Sequence, residues 1–144
     1  MPSDVMLKFM NTAHRGLLKL SFGKFGWTAA GMPVVELTTV GRKTGQRRSV
    51  MLTSPLQVGE SVIIVASRGG DDHHPAWFHN LSADPKVEVS YRGGPAAPWT
   101  ARVATTEERA EWWPKVTAKY RNYGGYQRKT EREIPLVVLT PDTP

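Results

Sequence analysis

Two β-branched, apolar runs, Val34 to Thr39 (VVELTT) and Ser49 to Leu56, flank the stretch Val40 to Arg48 (VGRKTGQRR). The flanks read as strands and the glycine-bounded centre as the turn between them. Within seven residues of that turn lie Arg42, Lys43, Arg47 and Arg48, with the Thr44 hydroxyl among them. Four clustered cations repel one another, and an anionic ligand relieves that repulsion. Arg offers paired N–H groups to phosphate or carboxylate, Lys adds a mobile point charge, and Gly lets backbone N–H groups approach. A solvated hairpin tip accounts for the same residues, because turns favour Gly and polar side chains. Short basic runs also serve as nucleic-acid patches. The local pattern leaves these readings open.

The rest of the chain narrows them. Of its net charge of +6, all lies in the first half: residues 1–70 hold nine Lys and Arg against Asp4, Glu36 and Glu60, while residues 71–144 hold ten of each sign. A field localised in this way attracts an anionic partner: a phosphorylated cofactor, nucleic acid or an acidic membrane surface. With 144 residues, 40% of them hydrophobic, the chain suits one domain, 1–144, with a real core. Within it we distinguish a lead-in, 1–33, and a main body, 34–144. Cysteine is absent. Disulfides, thiolate metal sites and a cysteine nucleophile are therefore excluded, which fits a reducing cytoplasm. No apolar run reaches the length of a membrane span, and the N-terminus lacks the apolar segment of a secretory signal.

Residues 5–22 carry Met6, Phe9, Met10, Ala13, Leu17 and Leu20 at helical spacing, with Lys8, Asn11, Arg15 and Lys19 on another face. A helix packed on the domain explains this; a cationic helix resting on an anionic membrane surface is the alternative. After the basic turn and the Ser49–Leu56 strand, a turn at 58–61 leads into Val62 to Ala66, apolar on both faces and so expected to be central. The loop Ser67 to Pro75 (SRGGDDHHP) at its end is a usual place for ligand contacts. Pro75 to Leu81 reads as a short helix, Lys86 to Arg92 and Pro98 to Ala104 as strands, and Ile134 to Thr140 as a last strand. Thr105 and Glu108 form a capping box for a helix reaching about Tyr120, with a kink or restart expected at Pro114. Hairpin-linked strands predict an α+β fold whose antiparallel sheet curls into a small barrel with helices on its rim.

Tyr120, Tyr123 and Tyr126 recur at steps of three, which packing explains, although Gly124-Gly125 weakens a helix there. Three phenols beside a flexible Gly-Gly also suit a pocket wall that stacks on a ring. His73, His74 and His79 match no zinc spacing, and no metal is expected. Glu107, Glu108 and Glu111 sit where a helix start favours acids anyway. No Walker, Rossmann or G-x-S-x-G fingerprint occurs. Chemistry on this chain must come from a cofactor.

The segments LTTVGRKTGQRR (37–48), VIIVASRGG (62–70), HPAWFHNLSADPKVEV (74–89), TEERAEWWP (106–114) and YRNYGGYQRKTEREIPLVVLTP (120–141) together resemble the deazaflavin-dependent nitroreductase and quinone reductase family of actinobacteria. The resemblance implies a split β-barrel of the flavin-reductase, FMN-binding type that takes coenzyme F420, a planar deazaflavin with a phosphodiester and a tail of glutamates. It implies that Arg42, Lys43, Thr44 and Arg48 hold phosphate and tail, with Gly45 shaping the loop. Ser67, Arg68, Gly69 and Gly70 would line the ring and its side chain, and Ala76 and Trp77 would pack nearby. Relatives commonly carry Lys at the position of Arg68. Tyr120, Tyr123, Tyr126 and Ser67 would bound the acceptor. Reduced coenzyme, F420H2, would then pass a hydride to a menaquinone-like quinone or an activated nitroaromatic ring, with Tyr126 a candidate proton donor. A lipid quinone would give the amphipathic segment a use, at the inner face of the cell membrane.

Three rivals remain: an FMN-binding reductase or oxidase of the same fold, a non-catalytic carrier of the coenzyme, and a nucleic-acid binder using VGRKTGQRR. FMN is shorter and leaves much of the basic turn unused. The aromatics are not interleaved with the basic turn, which argues against nucleic acid.

Overall fold

The structure, a computed structural model, describes residues 28–29 and 31–142; the expected helix over 5–22 lies outside them. A two-residue strand, β1 (Thr28–Ala29), pairs with the start of β2 (Met32–Val40). Strand β2 then pairs antiparallel with β3 (Arg47–Thr53), in register from Val34 opposite Thr53 to Val40 opposite Arg47. The VGRKTGQRR stretch is thus the turn of a hairpin, as its flanks require. The strand expected over Ser49–Leu56 is instead bent into two pieces. It breaks at Ser54-Pro55, and Leu56 opens a separate strand, β4 (Leu56–Val58), paired with β5 (Ser61–Val65). Buried Ser54 secures the corner: its Oγ lies 2.6 Å from the Ile63 carbonyl oxygen and 2.8 Å from that of Leu56.

Beyond β5, a single 3₁₀ turn (Arg68–Gly70) precedes α1 (Ala76–Ala83). Strands β6 (Lys86–Tyr91) and β7 (Ala97–Val103) follow, then α2 (Thr106–Lys119), α3 (Arg121–Arg128) and β8 (Leu136–Pro141). The capping box forms: Glu108 N–H donates to Thr105 Oγ1 at 3.1 Å, and Thr105 N–H to Glu108 Oε1 at 2.8 Å. Helix α2 does not restart at Pro114. Both Pro114 and Ala110, whose carbonyl loses its helical partner to the ring, lie on the exposed face, where that oxygen is open to solvent.

All ladders are antiparallel, and the strands follow the order β1-β2-β6-β7-β8-β5-β4, with β3 on β2 outside that path. The α+β class holds, but the expected split barrel does not: the sheet is open. Among the described residues β3 pairs with β2 and β4 with β5, and no ladder joins β3 to β4. The chain passes from one edge to the other at Ser54-Pro55, where Gln57 Nε2 of β4 donates back to the Ser54 carbonyl at 3.1 Å. Pro55 has no N–H to give to a ladder, and the Ser54 hydroxyl is spent on the carbonyls across the bend.

The central strands bury both faces, as the apolar run 62–66 predicts. Val62 and Ile64 of β5, with Val137 and Leu139 of β8, join one core with Trp77 and Leu81 of α1. Their alternates Ile63, Val65, Leu136 and Val138 join a second core with Trp112, Val116 and Tyr123 of α2 and α3. This double anchoring explains how α3 forms despite Gly124-Gly125. Burial of Tyr123 fixes a helix whose intrinsic propensity is poor.

Candidate active site

The basic turn is built by its own backbone. Gly41 N–H donates to the Gln46 carbonyl and Gly45 N–H to the Gly41 carbonyl, both at 2.8 Å. Gly45 has φ +71°, a left-handed conformation that glycine adopts without penalty. A β-carbon on Gly41 would lie 2.8 Å from Thr44 Oγ1 and 3.2 Å from the Gln46 carbonyl oxygen, so the Thr44 side chain would have to turn away to admit one. Thr44 Oγ1 in turn accepts from Gln46 N–H at 3.2 Å, and Gln46 Oε1 accepts from Arg48 Nη2 at 3.2 Å. All four cationic side chains are exposed. Arg47 is neutralised by Glu88 of β6. Among the described residues, no carboxylate pairs with Arg42, Lys43 or Arg48.

Helix α1 holds the turn in place through Asn80, which is buried. Its Oδ1 accepts from Arg42 N–H and its Nδ2 donates to Thr39 Oγ1, each at 3.1 Å. His79, one residue earlier, lies against Arg42; burial first, and that charge second, lower its pKa below the ordinary histidine value. Ala76 is exposed at the start of α1. Trp77 is buried in the core beneath the helix, where it packs against the sheet.

The Ser67–Gly70 loop has three successive residues in the left-handed region: Arg68 (φ 46°), Gly69 (φ 65°) and Gly70 (φ 86°). For Arg68 this conformation costs about 1–3 kcal/mol. Arg68 Nη1 stands 3.5 Å from Asp71 Oδ2. The Asp71 carboxylate accepts the His73 N–H at 2.9 Å, and that bond is the main reason its pKa lies below the usual range. The loop packs on α3. A β-carbon on Gly70 would lie 2.8 Å from the Tyr126 carbonyl oxygen.

The three tyrosines form a continuous edge-to-face chain, with centroids 6.5 Å apart for Tyr120–Tyr123 and 6.0 Å for Tyr123–Tyr126. Tyr123 is buried, its hydroxyl 3.6 Å from Met32 Sδ, and burial pushes its phenol pKa up, so it stays protonated. Tyr120 and Tyr126 are half-buried. The packing reading of the stripe holds for Tyr123, while Tyr120 and Tyr126 keep part of their rings accessible.

The sequence reading missed the residues that join these parts, namely Asn80, His74 and Arg132. His74 stacks on Phe78 (4.6 Å) and meets His79 edge-on (5.6 Å). Burial, then the Arg132 charge, lower its pKa, so the neutral ring's Nδ1 accepts from Arg132 Nη1 at 3.0 Å. No local signal marks these roles, since each depends on a carbonyl or side chain far away in sequence. Among the described residues there is no group of three or more metal-ligating side chains and no helix long and apolar enough to cross a membrane. A polar cleft of about 500 Å³ lies beside α3, lined by Asp72, Arg128, Lys129, Thr130, Glu131 and Arg132; none of the residues expected to hold a cofactor lines it.

The structure therefore brings the Ser67 loop and the tyrosine helix into direct contact. The basic turn is fixed to the same body through α1.

Comparison with known proteins places the whole chain. A family model described as F420H(2)-dependent quinone reductase matches residues 13–141. An F420H(2)-dependent quinone reductase of Mycobacterium tuberculosis (strain H37Rv) is 37% identical over 131 residues, 88% of this chain and 87% of that protein. A second, putative one from the same organism is 37% identical over 113 residues, 76% of this chain and 91% of that protein. A solved structure described as an F420-H2 dependent reductase superposes with a TM-score of 0.64 at 41% identity, covering 74% of this chain and 93% of that one. With a match over nearly its whole length, the chain belongs to the F420H(2)-dependent quinone reductase family.

Proposed function

We propose that this protein is an F420H2-dependent oxidoreductase that reduces quinone-type acceptors, with activated nitroaromatics as incidental substrates. The observation that carries the reading is the pairing state of the basic turn. Glu88 compensates Arg47, while Arg42, Lys43 and Arg48 face solvent without a described carboxylate. A long anion with a phosphodiester and several carboxylates fits that donor set. A mononucleotide such as FMN has charge for only part of it.

In this reading Arg42, Lys43 and Arg48 take the phosphate and the acidic tail. Gly41 and Gly45 give the turn its shape, and Asn80 holds it against α1. The Ser67–Gly70 loop would hold the ring and its side chain, with Arg68 contributing positive charge. When bound, the reduced coenzyme supplies a hydride from its deazaflavin ring. Ser67 and the half-buried Tyr120 and Tyr126 would bound the space for the acceptor. Tyr126 Oη donates its proton to the acceptor oxygen as negative charge builds there, so hydride and proton together convert quinone to quinol. Buried Tyr123 braces the two outer rings from the core. The physiological acceptor we infer is a menaquinone-like lipid quinone.

Equilibrium titration tests the coenzyme assignment. F420H2 is expected to bind at least tenfold more tightly than FMN, with an affinity that falls as salt rises. FMN binding as tightly as F420H2, or F420H2 binding indifferent to salt, would contradict it.

A further inference from the structure

We infer that Arg132 is the positioning residue of the coenzyme-ring loop, holding Ser67–Gly70 in its left-handed path from outside the site. The inference rests on the proposed role of that loop and extends it to a residue that does not line the ring.

The geometry is specific. Arg132 lies between α3 and β8, and its guanidinium reaches across to the far end of β5. Nη1 donates to the Ala66 carbonyl at 3.2 Å, Nη2 to the Ser67 carbonyl at 2.8 Å and Nε to the Asp71 carbonyl at 2.8 Å. Nη1 also meets His74 Nδ1 at 3.0 Å. These carbonyls bracket the three consecutive left-handed residues, two before them and one after. Inside the bracket the described backbone bonds are short-range: Gly70 N–H to the Ser67 carbonyl (2.9 Å) and Asp71 N–H to the Arg68 carbonyl (3.2 Å). Such a turn does not by itself keep a non-glycine residue at positive φ. A planar group with donors on three separate nitrogens reaches three carbonyls at once; an ammonium has three donors too, but on one nitrogen, and does not span them. Thr130 Oγ1 accepts the Arg132 N–H at 3.3 Å and fixes the base of the side chain.

The loop is thereby shaped before any ligand arrives, so Arg132 acts on coenzyme binding rather than on the reacting atoms. Its effect on affinity follows from geometry and not from charge, which distinguishes it from the cations of the basic turn.

The test compares wild type with Arg132→Lys and Arg132→Gln. Coenzyme affinity and steady-state kinetics are followed, together with amide hydrogen exchange at residues 67–71 in the ligand-free protein. We expect both variants to raise KM for F420H2 about tenfold and to speed loop exchange at least tenfold. Their kcat at saturating coenzyme should stay within about threefold of wild type, because bound coenzyme re-forms the loop. Lys, despite its charge, should not rescue. Wild-type affinity in Arg132→Lys would make the role purely electrostatic and overturn the inference. Faster exchange with unchanged KM in both variants would make Arg132 a structural fastener, and would equally overturn it. Should both variants fail to fold, His74→Phe keeps the ring stack on Phe78 and removes one contact to Arg132. A two- to threefold rise in KM with kcat preserved supports the inference; an unchanged KM overturns it. A wild-type protein that does not bind F420H2 contradicts the proposed function and with it the coenzyme half of this inference. In that case loop exchange in the Arg132 variants still decides whether Arg132 shapes the loop.

Discussion

Gly70 and Tyr126 are in such close contact that a β-carbon on Gly70 would lie 2.8 Å from the Tyr126 carbonyl oxygen, and 3.1 Å from Cβ of Lys129. Here the Ser67–Gly70 loop and the tyrosine helix are packed together. Gly70→Ala meets both a backbone oxygen and a positive φ of 86°. It should cost about 3 kcal/mol of stability. Because the loop must move off α3, it should also lower kcat/KM for quinone by more than tenfold. Urea unfolding and steady-state turnover check the two effects.

The basic turn makes a graded prediction. Replacing Arg42, Lys43 or Arg48 by Gln should each weaken F420H2 binding about five- to tenfold, roughly 1–1.4 kcal/mol, with kcat nearly unchanged. Arg47→Gln should weaken it less than about threefold, because Glu88 already compensates that charge. Calorimetric titration at two salt concentrations separates the two groups: the first three variants should flatten the salt dependence and the fourth should not.

The tyrosines divide by burial. Tyr126→Phe should lower kcat for quinone about tenfold or more if its hydroxyl supplies the proton, with coenzyme affinity unchanged. Tyr123→Phe removes a hydroxyl enclosed in the core beside Met32, and should change kcat less than about twofold. Stopped-flow oxidation of bound F420H2 by quinone measures both.

These differences define how far the sequence is legible. Alternation and turn residues placed the β2–β3 hairpin, the doubly buried β5 and the capped α2, because local patterns determine them. The open sheet was not legible. The strand breaks between the sheet's two edges at Ser54-Pro55, where the Ser54 hydroxyl bonds carbonyls of Leu56 and Ile63, a contact that composition does not reveal. The cationic turn and the Ser67 loop stood out because charge and glycine cluster in the sequence itself. Asn80 and Arg132 did not, since their partners lie 38 and 41 residues away for Asn80, and 58 to 66 away for Arg132 beyond the short bond to Thr130. The Tyr123 phenol looked like its neighbours until burial separated it from them.

Stability should respond to acid through Glu108. Its carboxylate accepts two bonds from Arg102, at 2.6 and 2.8 Å, and one from Thr105 N–H. The Arg102 hydrogen bond first, and the Thr105 bond second, bring its pKa down from 4.5 to about 2. A depressed carboxylate contributes stability that is fully present above its unfolded-state pKa and is lost as pH falls through the folded value. Glu108→Gln should therefore cost about 1 kcal/mol at pH 7, given the partial exposure of the pair. The gap from wild type should close between pH 4.5 and about 2. Unfolding curves across that window test the sign as well as the size.

The central claim is tested most directly by mixing the protein with F420H2 and menadione and following the return of the oxidised coenzyme's visible absorbance. A parallel reaction contains FMN and NADPH. We predict protein-dependent oxidation of F420H2 only when the quinone is present, and none driven by FMN. Tight F420H2 binding without turnover would contradict the reductase assignment in favour of a carrier. Activity with FMN alone would contradict the coenzyme assignment itself.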